Sequence, residues 1–498
     1  MKLIINYLLC TCMCLILVYA KTDTYRAAVV AFTPNLSAPE PLDRLYTNVA
    51  SYLSFIDEAG AQHSDIVVFP EDGLTGWYDV ITFPEIVELV STQVPDPNLK
   101  ITPCSSSNKK YSKALTDFSC SALKNKIYVV VNLVEQYYDN ERKNYVYFNT
   151  DVVFDKNGCV AARYRKINLL NENLFVPGKA TLYFETDFGV TFGLYTCFDI
   201  VFKHPALNVL SDLEVTDIVY PVAWFSHLPF LQGLSVHHGY AVSNKINLLA
   251  AGLHDPALRN GGTAIYLANG EILKVYINGQ KGSKLLIGDV PKISRRKSDK
   301  SCQVLEQLSE PTKEELIDIA SFATSVEDMT NYTFKSIDLN KKEISETICS
   351  GEKFCCKFDI KLEASSKANY AYKLVAYHGT VQLSQNDRLG TRSCAVVACK
   401  SEDNASCGQR HKEPPSGVTF EKIEVKGTFN SQNSHDQPST LRYNLKPVTN
   451  YTFCRNLKNN NDVEINLTTT EKQSLLLTFG IYGRVFKDDG KPVGLTEE

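Results

Sequence analysis

From residue 25 onward, short runs of aliphatic and β-branched residues alternate with longer stretches whose apolar positions recur at helical spacing. Residues 25–32 are apolar apart from Arg26 and predict a strand. Leu45, Val49, Leu53 and Ile56 then predict a helix, with Asp43 as its cap. Residues 65–69 predict the next strand, and further runs at 127–133, 152–154, 190–195, 218–220 and 248–251 continue the series. Many of these runs are apolar on both faces, so the sheet they form must be covered on each side by helices or by a second sheet. Strand and helix alternating to about Asp289 predict an α/β domain.

The pattern then changes. A basic stretch from Lys292 to Lys300 and an acidic helical patch at Glu314-Glu315 predict a connecting segment, with a solvated loop or a processing site at Arg295-Arg296. Beyond Thr347 the alternation becomes short-period, with strands expected over 370–377, 393–399, 420–429 and 475–485 between Gly, Asn and Ser loops. At the other end, Lys2 precedes an apolar run from Leu3 to Tyr19 and a Val18-Tyr19-Ala20 ending, which predicts a secretory signal peptide. The organisation expected is therefore 1–20 signal peptide, 21–290 α/β domain, 291–346 connecting segment and 347–498 β domain. No other stretch reaches the apolar length of a membrane-spanning helix, and the charged C-terminus lacks a GPI-signal tail, so a secreted, extracellular protein is expected.

Composition narrows the function classes. With 498 residues, 44% hydrophobic and 22% charged, the chain is globular and long enough for several cores. Its 52 basic and 56 acidic residues leave a net charge of -4, too small a field to point to nucleic acid or an anionic membrane. The 9 histidines form no HExxH, and no paired Cys-x-x-Cys clusters occur, so neither metal nor cofactor is expected. Of 15 cysteines, three fall in the signal segment, and Cys349, Cys355, Cys356, Cys394, Cys399 and Cys407 crowd one C-terminal region. That crowding predicts a disulfide-stapled module whose pairing the sequence leaves open. Sequons at Asn35, Asn331, Asn404, Asn450 and Asn466 are candidate glycosylation sites.

Three polar residues stand directly after apolar runs: Glu71, Lys166 and Cys197. Strand C-terminal ends are where open α/β sheets bind ligands. Singly, each has a plainer reading, as surface charge, buried small hydrophobe or half-cystine. Together they form a set for amide chemistry: a thiol to attack the carbonyl, a carboxylate as general base, and an ammonium to hold the oxyanion and lower the thiol pKa.

The segments Phe69-Pro-Glu-Asp-Gly-Leu-Thr-Gly-Trp77, Ala162-Arg-Tyr-Arg-Lys-Ile-Asn-Leu-Leu170 and Leu194-Tyr-Thr-Cys-Phe-Asp-Ile200 resemble, in order, the three signature blocks of the nitrilase (carbon-nitrogen hydrolase) superfamily. Phe354-Cys-Cys356, Ser406-Cys-Gly408 and Gly480-Ile-Tyr-Gly-Arg484 extend the likeness to its vanin and biotinidase branch. The resemblance implies an α-β-β-α sandwich followed by a smaller, cysteine-rich, mostly β domain. It also implies Glu71 as proton acceptor, Lys166 as proton donor and oxyanion partner, and Cys197 as nucleophile, with Glu172 supporting the lysine and the Phe198 N–H facing the oxyanion. Cys104 and Cys120 match the disulfide of that branch's catalytic domain, while Cys159, Cys302 and Cys454 are left without partners.

The chain departs from the branch in carrying Arg165 where a histidine usually precedes the lysine; Arg165 either adds positive charge to the site or faces solvent. Trp77, Trp224 and His237 are candidate pocket residues, with core packing or a structural helix role as the alternative for each. The function implied is hydrolysis of a linear amide in a small molecule, pantetheine first, through a cysteine thioester. The alternatives are a biotinidase-like hydrolase of biocytin and a catalytically silent secreted binding protein.

Overall fold

The computed structural model describes residues 23–107, 110–213, 215–294, 302–305, 308–363, 367–384, 387–458 and 461–495. The signal segment and the Arg295-Arg296 pair lie outside the described residues.

Two six-stranded sheets form the N-terminal half. The first holds β1 (Thr24–Ala31), β2 (Ile66–Val68), β3 (Tyr128–Asp139), β4 (Asn144–Phe154) and β5 (Val160–Arg165). The second holds β6 (Leu182–Glu185), β7 (Thr191–Leu194), β8 (Asp217–Val222), β9 (Asn247–Gly252), β10 (Thr263–Tyr266) and β11 (Ile272–Tyr276), after which β12 (Lys284–Pro291) returns to pair with β1. The strand orders are β12-β1-β2-β3-β4-β5 and β11-β10-β9-β8-β7-β6.

The run of apolar residues in β1 divides between two cores because successive side chains point to opposite faces. Ala27 and Val29, with Ile66 and Val68 of β2, enter the core shared with Phe192, Ile218 and Leu248 of the second sheet. Ala28, Val30 and Val67 instead pack on helices α1 (Pro41–Ala61) and α2 (Lys113–Asn125). Helix α1 buries Leu45, Val49, Tyr52, Ile56 and Ala59 on its inner face. Its start differs from expectation: Pro41 opens the helix and Glu40 occupies the cap position without a side-chain bond, while Asp43 lies in the first turn. Proline pre-sets the first helical φ, and the Asp43 charge still complements the helix dipole.

The outer face of the second sheet carries α3 (Gly233–Asn244), and 11 of its 12 residues are buried. A helix buried all round needs cover on both sides. The second cover is the C-terminal domain: Gln437 donates to the Val236 carbonyl at 3.2 Å, and a Cβ on Gly239 would stand 2.2 Å from the Pro438 carbonyl oxygen. Only glycine permits that approach.

The C-terminal half contains β13 (Glu343–Ser350), β14 (Phe354–Leu362), β15 (Ala371–Gln382), β16 (Arg388–Cys399), β17 (Phe420–Asn430), β18 (Ser434–Arg442), β19 (Tyr451–Leu457), β20 (Asp462–Thr469) and β21 (Leu476–Val485). They form two antiparallel sheets, β19-β20-β17-β14-β13 and β15-β16-β21-β18. The segment 291–346 is woven into both halves. Gln303–Val304 pairs with β19 and Thr333–Ser336 with β15, whereas Ser325–Val326 pairs with His227–Leu228 of the N-terminal half. Lys313–Ile319 is a helix closed by a Thr312/Glu315 capping box.

Disulfides join Cys104–Cys120, Cys302–Cys454, Cys349–Cys355, Cys356–Cys394 and Cys399–Cys407, leaving Cys159 and Cys197 as thiols among the described residues. Asn35, Asn331 and Asn404 are exposed and Asn466 half-buried in β20. Asn450 departs from the expected surface acceptor. Its side chain is buried, donating to Glu471 at 3.3 Å and accepting from Gln473 at 2.8 Å, so a glycan has no room there. Among the described residues, no helix is long and apolar enough to cross a membrane.

Candidate active site

Glu71, Lys166 and Cys197 come together where β2, β5 and β7 end. All three are buried, at 1%, 3% and 5% exposure. The Lys166 ammonium donates to Glu71 Oε1 and to Glu172 Oε2, each at 2.6 Å. Glu172 Oε2 also accepts from the Leu170 N–H at 3.0 Å, and Glu71 Oε2 from the Ala223 N–H at 3.1 Å. A buried charge is tolerated only when paired and hydrogen-bonded, and this lysine has two carboxylates. Burial alone would lower its pKa, but Glu172 and Glu71 outweigh that and hold it well above the usual ammonium value. Lys166 is therefore a fixed cation.

Cys197 begins a short helix over Cys197–Val201 and has φ 43, a left-handed conformation that costs a non-glycine residue energy. Its neighbours hold it there. Thr196 caps the helix, its N–H donating to Asp199 Oδ2 at 3.2 Å and its hydroxyl to Asp151 Oδ2 at 2.6 Å. Tyr220 donates to the Cys197 carbonyl at 2.6 Å, and Asp199 accepts in addition from Tyr164 at 2.7 Å. Phe198 follows in the first helical turn, where N–H groups lack intrahelical acceptors.

Lys166 pulls the thiol pKa down, as expected, but the balance of effects runs the other way. Burial, then the Glu71 charge, push the Cys197 thiol well above its usual value; Lys166 pulls downward but loses. The thiol is hydrogen-bonded to Glu71, so the site holds S–H beside a carboxylate rather than a preformed thiolate.

Sequence reading missed the polar strand interiors that organise this cluster. Asn149 Nδ2 in β4 donates to Glu71 Oε1 at 2.9 Å and to Glu172 Oε1 at 2.7 Å. Its Oδ1 accepts from Asn132 Nδ2 at 2.7 Å, and Asn132 also donates to Asp151 at 2.8 Å. One hydrogen-bonded path thus runs from both glutamates to Thr196, the residue before the thiol. Burial raises Asp151 to about 7 and Asp199 to about 6, against hydrogen bonds that lower them. The available signal was the run Asn149-Thr150-Asp151, three polar residues inside an otherwise apolar strand.

Above Cys197 lies a cavity of about 170 Å³. Trp77, Phe198, Trp224 and Phe225 supply aromatic wall, with Leu170, Leu231 and Ala223 between them; Asn171, His227 and Arg259 are its polar lining. Leu383 of the C-terminal half also lines it. Trp224 is fixed by donating to the Leu231 carbonyl at 2.8 Å. His237 does not line the cavity. It packs behind it in α3, edge-on to Tyr220 at 5.0 Å and Trp224 at 5.4 Å, and burial drops its pKa to about 3.

Arg165 neither joins the site nor faces open water. Strand alternation turns it away from Lys166, and it grips buried Glu135 through two bonds of 2.8 and 2.6 Å while stacking over Phe148 at 3.8 Å.

Known proteins resemble the chain along most of its length. The family profile described as carbon-nitrogen hydrolase matches residues 26–293, and that described as vanin C-terminal domain matches 323–489. Vanin-like protein 1 of Drosophila melanogaster is 32% identical over 94% of this chain and 87% of its own length. The Homo sapiens protein named pantetheinase is 30% identical over 82% of this chain and 80% of its own. A solved amidase from Nesterenkonia sp. aligns with 54% of this chain and 90% of its own, at 20% identity and a TM-score of 0.40.

Proposed function

The chain belongs to the carbon-nitrogen hydrolase family and ends in a vanin C-terminal domain, and from that premise we propose that it is a secreted enzyme hydrolysing pantetheine to pantothenate and cysteamine. The observation that carries the chemistry is the contact of a thiol, a carboxylate and a permanent ammonium at the floor of an aromatic cavity. The substrate is supported by relatives named pantetheinase at about 30% identity over most of the chain. Secretion is supported by the apolar segment after Lys2 and by five disulfides, which persist in oxidising compartments.

In this mechanism Glu71 takes the proton of Cys197 as the sulfur attacks the amide carbon, so thiolate forms only as it is used. The carbonyl oxygen becomes an oxyanion, facing the Lys166 ammonium and the Phe198 N–H. Collapse of the tetrahedral intermediate breaks the C–N bond, and the proton held by Glu71 passes to the departing amine. The acyl group remains on sulfur as a thioester. Water then enters, Glu71 takes its proton, and attack on the thioester releases the acid and returns the proton to sulfur. Lys166, clamped between Glu71 and Glu172, stays positive throughout.

The test gives purified protein and its Cys197→Ala variant pantetheine and, separately, biocytin, and follows release of cysteamine and lysine. Cysteamine release that vanishes in the variant is expected. Lysine release alone would move the assignment to a biotinidase-like amide, and silence on both would remove the proposed substrate.

A further inference from the structure

The polar side of the cavity has a construction that hydrolysis itself does not use. Arg259 lines the cavity with its guanidinium stacked near Phe225, 5.9 Å from the ring centre, and no hydrogen bond or ion pair holds its side chain among the described residues. Asp255, four residues earlier, bonds Lys281 through Oδ2 at 2.7 Å and makes no ion pair with Arg259. Arg259 has φ 69, and its loop is stitched in place: Asp255 and Asn260 form a backbone bridge, and Asn260 Nδ2 donates to the Ala223 and Trp224 carbonyls at 3.3 and 3.1 Å. The guanidinium is thereby carried on a platform bonded to Ala223, whose N–H holds Glu71. Beside it His227 also lines the cavity; burial, then the Arg259 charge, lower its pKa, so it stands as a neutral ring.

We propose that Arg259, seconded by His227, is the specificity-determining element of this cavity, selecting amides whose acyl group carries oxygen acceptors (hydroxyl, carbonyl or phosphate) at its far end. The inference rests on the proposed function and deepens it. The leaving amine of pantetheine, cysteamine, contains no oxygen, so an oxygen acceptor for the Arg259 guanidinium can come only from the acyl side. Apart from Asn171 the remaining wall is aromatic and aliphatic, which accepts the carbon skeleton without discriminating it, whereas a half-buried guanidinium covered by substrate without an acceptor penalises an analogue lacking one. The neutral imidazole can donate or accept, which suits a hydroxyl group.

The experiment compares wild type, Arg259→Met and Arg259→Lys on three amides of cysteamine: pantetheine, 4′-phosphopantetheine and N-butyrylcysteamine, the last without a distal acceptor. A charge-assisted hydrogen bond predicts that Arg259→Met lowers kcat/KM for pantetheine by roughly 10- to 100-fold. For N-butyrylcysteamine the loss is at least about tenfold smaller, and Arg259→Lys recovers part of the activity on pantetheine. The phosphorylated substrate separates the two acceptor sources: a larger Arg259→Met loss there than on pantetheine assigns the subsite to phosphate, a smaller one to hydroxyl or carbonyl. Equal losses on pantetheine and the butyryl amide, or no loss on pantetheine, would overturn the inference. If wild type cleaves none of the three, the proposed substrate fails by itself. Binding of pantothenate to Cys197→Ala and to Cys197→Ala/Arg259→Met then decides the subsite, and it falls if the two bind alike or not at all.

Discussion

The two halves of this protein bury polar side chains in opposite ways. In the C-terminal half the deepest ion pair is paired within the scaffold: Arg392 meets both oxygens of Asp436 at 2.7 Å through Nε and Nη2, and Nη2 also donates to the Asn430 carbonyl and Ser434. Four of the five disulfides also anchor in that half or tie to it. In the catalytic half, Glu71, Lys166, Glu172, Asn149, Asn132 and Asp151 form a connected cluster that reaches, through Glu71, the Cys197 thiol beneath the cavity. The difference teaches that buried charge becomes chemistry here only where a cluster ends on an atom that substrate can reach; the sealed pair is structure alone.

The largest expected effect breaks that contrast from both sides. Removing one partner of a buried ion pair strands the other, at a cost of about 3–5 kcal/mol. Lys166→Met and Arg392→Met should therefore both lower stability by that order, read by calorimetry or denaturant unfolding. Only Lys166→Met should also remove turnover, by at least about 10³-fold, because it deletes the oxyanion's cation as well. Arg392→Met, assayed per folded molecule at low temperature, should keep kcat within about twofold. A matching collapse of kcat in both variants would erase the distinction between open and sealed clusters.

A smaller effect sharpens the description of the open end. Because burial and the Glu71 charge raise the Cys197 pKa above its usual value, little thiolate exists at neutral pH. Alkylation of Cys197 by iodoacetamide should accordingly rise with pH through 9 without levelling. In Glu71→Gln the opposing charge is gone while Lys166 remains, so alkylation at pH 7 should quicken several-fold even as hydrolysis stops. A plateau below pH 7 in the wild type would mean a resident thiolate, and general-base activation by Glu71 would be wrong.

The reach of the sequence follows from how local each signal is. Glu71, Lys166 and Cys197 stand at strand ends inside short blocks, and the strands themselves are legible because each is a continuous apolar run. Asn149 and Asn132 were not legible, since their meaning lies in register: β3 and β4 pair Asn132 with Asp151, which sets the amide between the glutamates and the Thr196 hydroxyl. Arg165 was ambiguous for the same reason, as its partner Glu135 is 30 residues away on β3. Asn450 carries a sequon but sits under Glu471 and Gln473, a burial that no tripeptide announces. Cys302 and Cys454 are 152 residues apart and meet only because Gln303–Val304 pairs with β19.

The smallest expected effect tests a place where the two halves share the site. Leu383, just past β15, lines the cavity nearly two hundred positions after Cys197, so the C-terminal domain closes part of the wall above the thiol as well as backing α3. Its side chain is apolar, so its contribution should be contact area with substrate. Truncating a half-buried leucine removes roughly 1 kcal/mol of apolar contact, or about fivefold in affinity. Leu383→Ala should therefore raise KM for pantetheine by about that factor at unchanged kcat, since contact made equally in ground and transition states affects binding alone. A fall in kcat instead would mean that the C-terminal half positions the reacting groups. In that case the boundary between a sealed scaffold and an open site would have to be drawn through the β domain rather than in front of it.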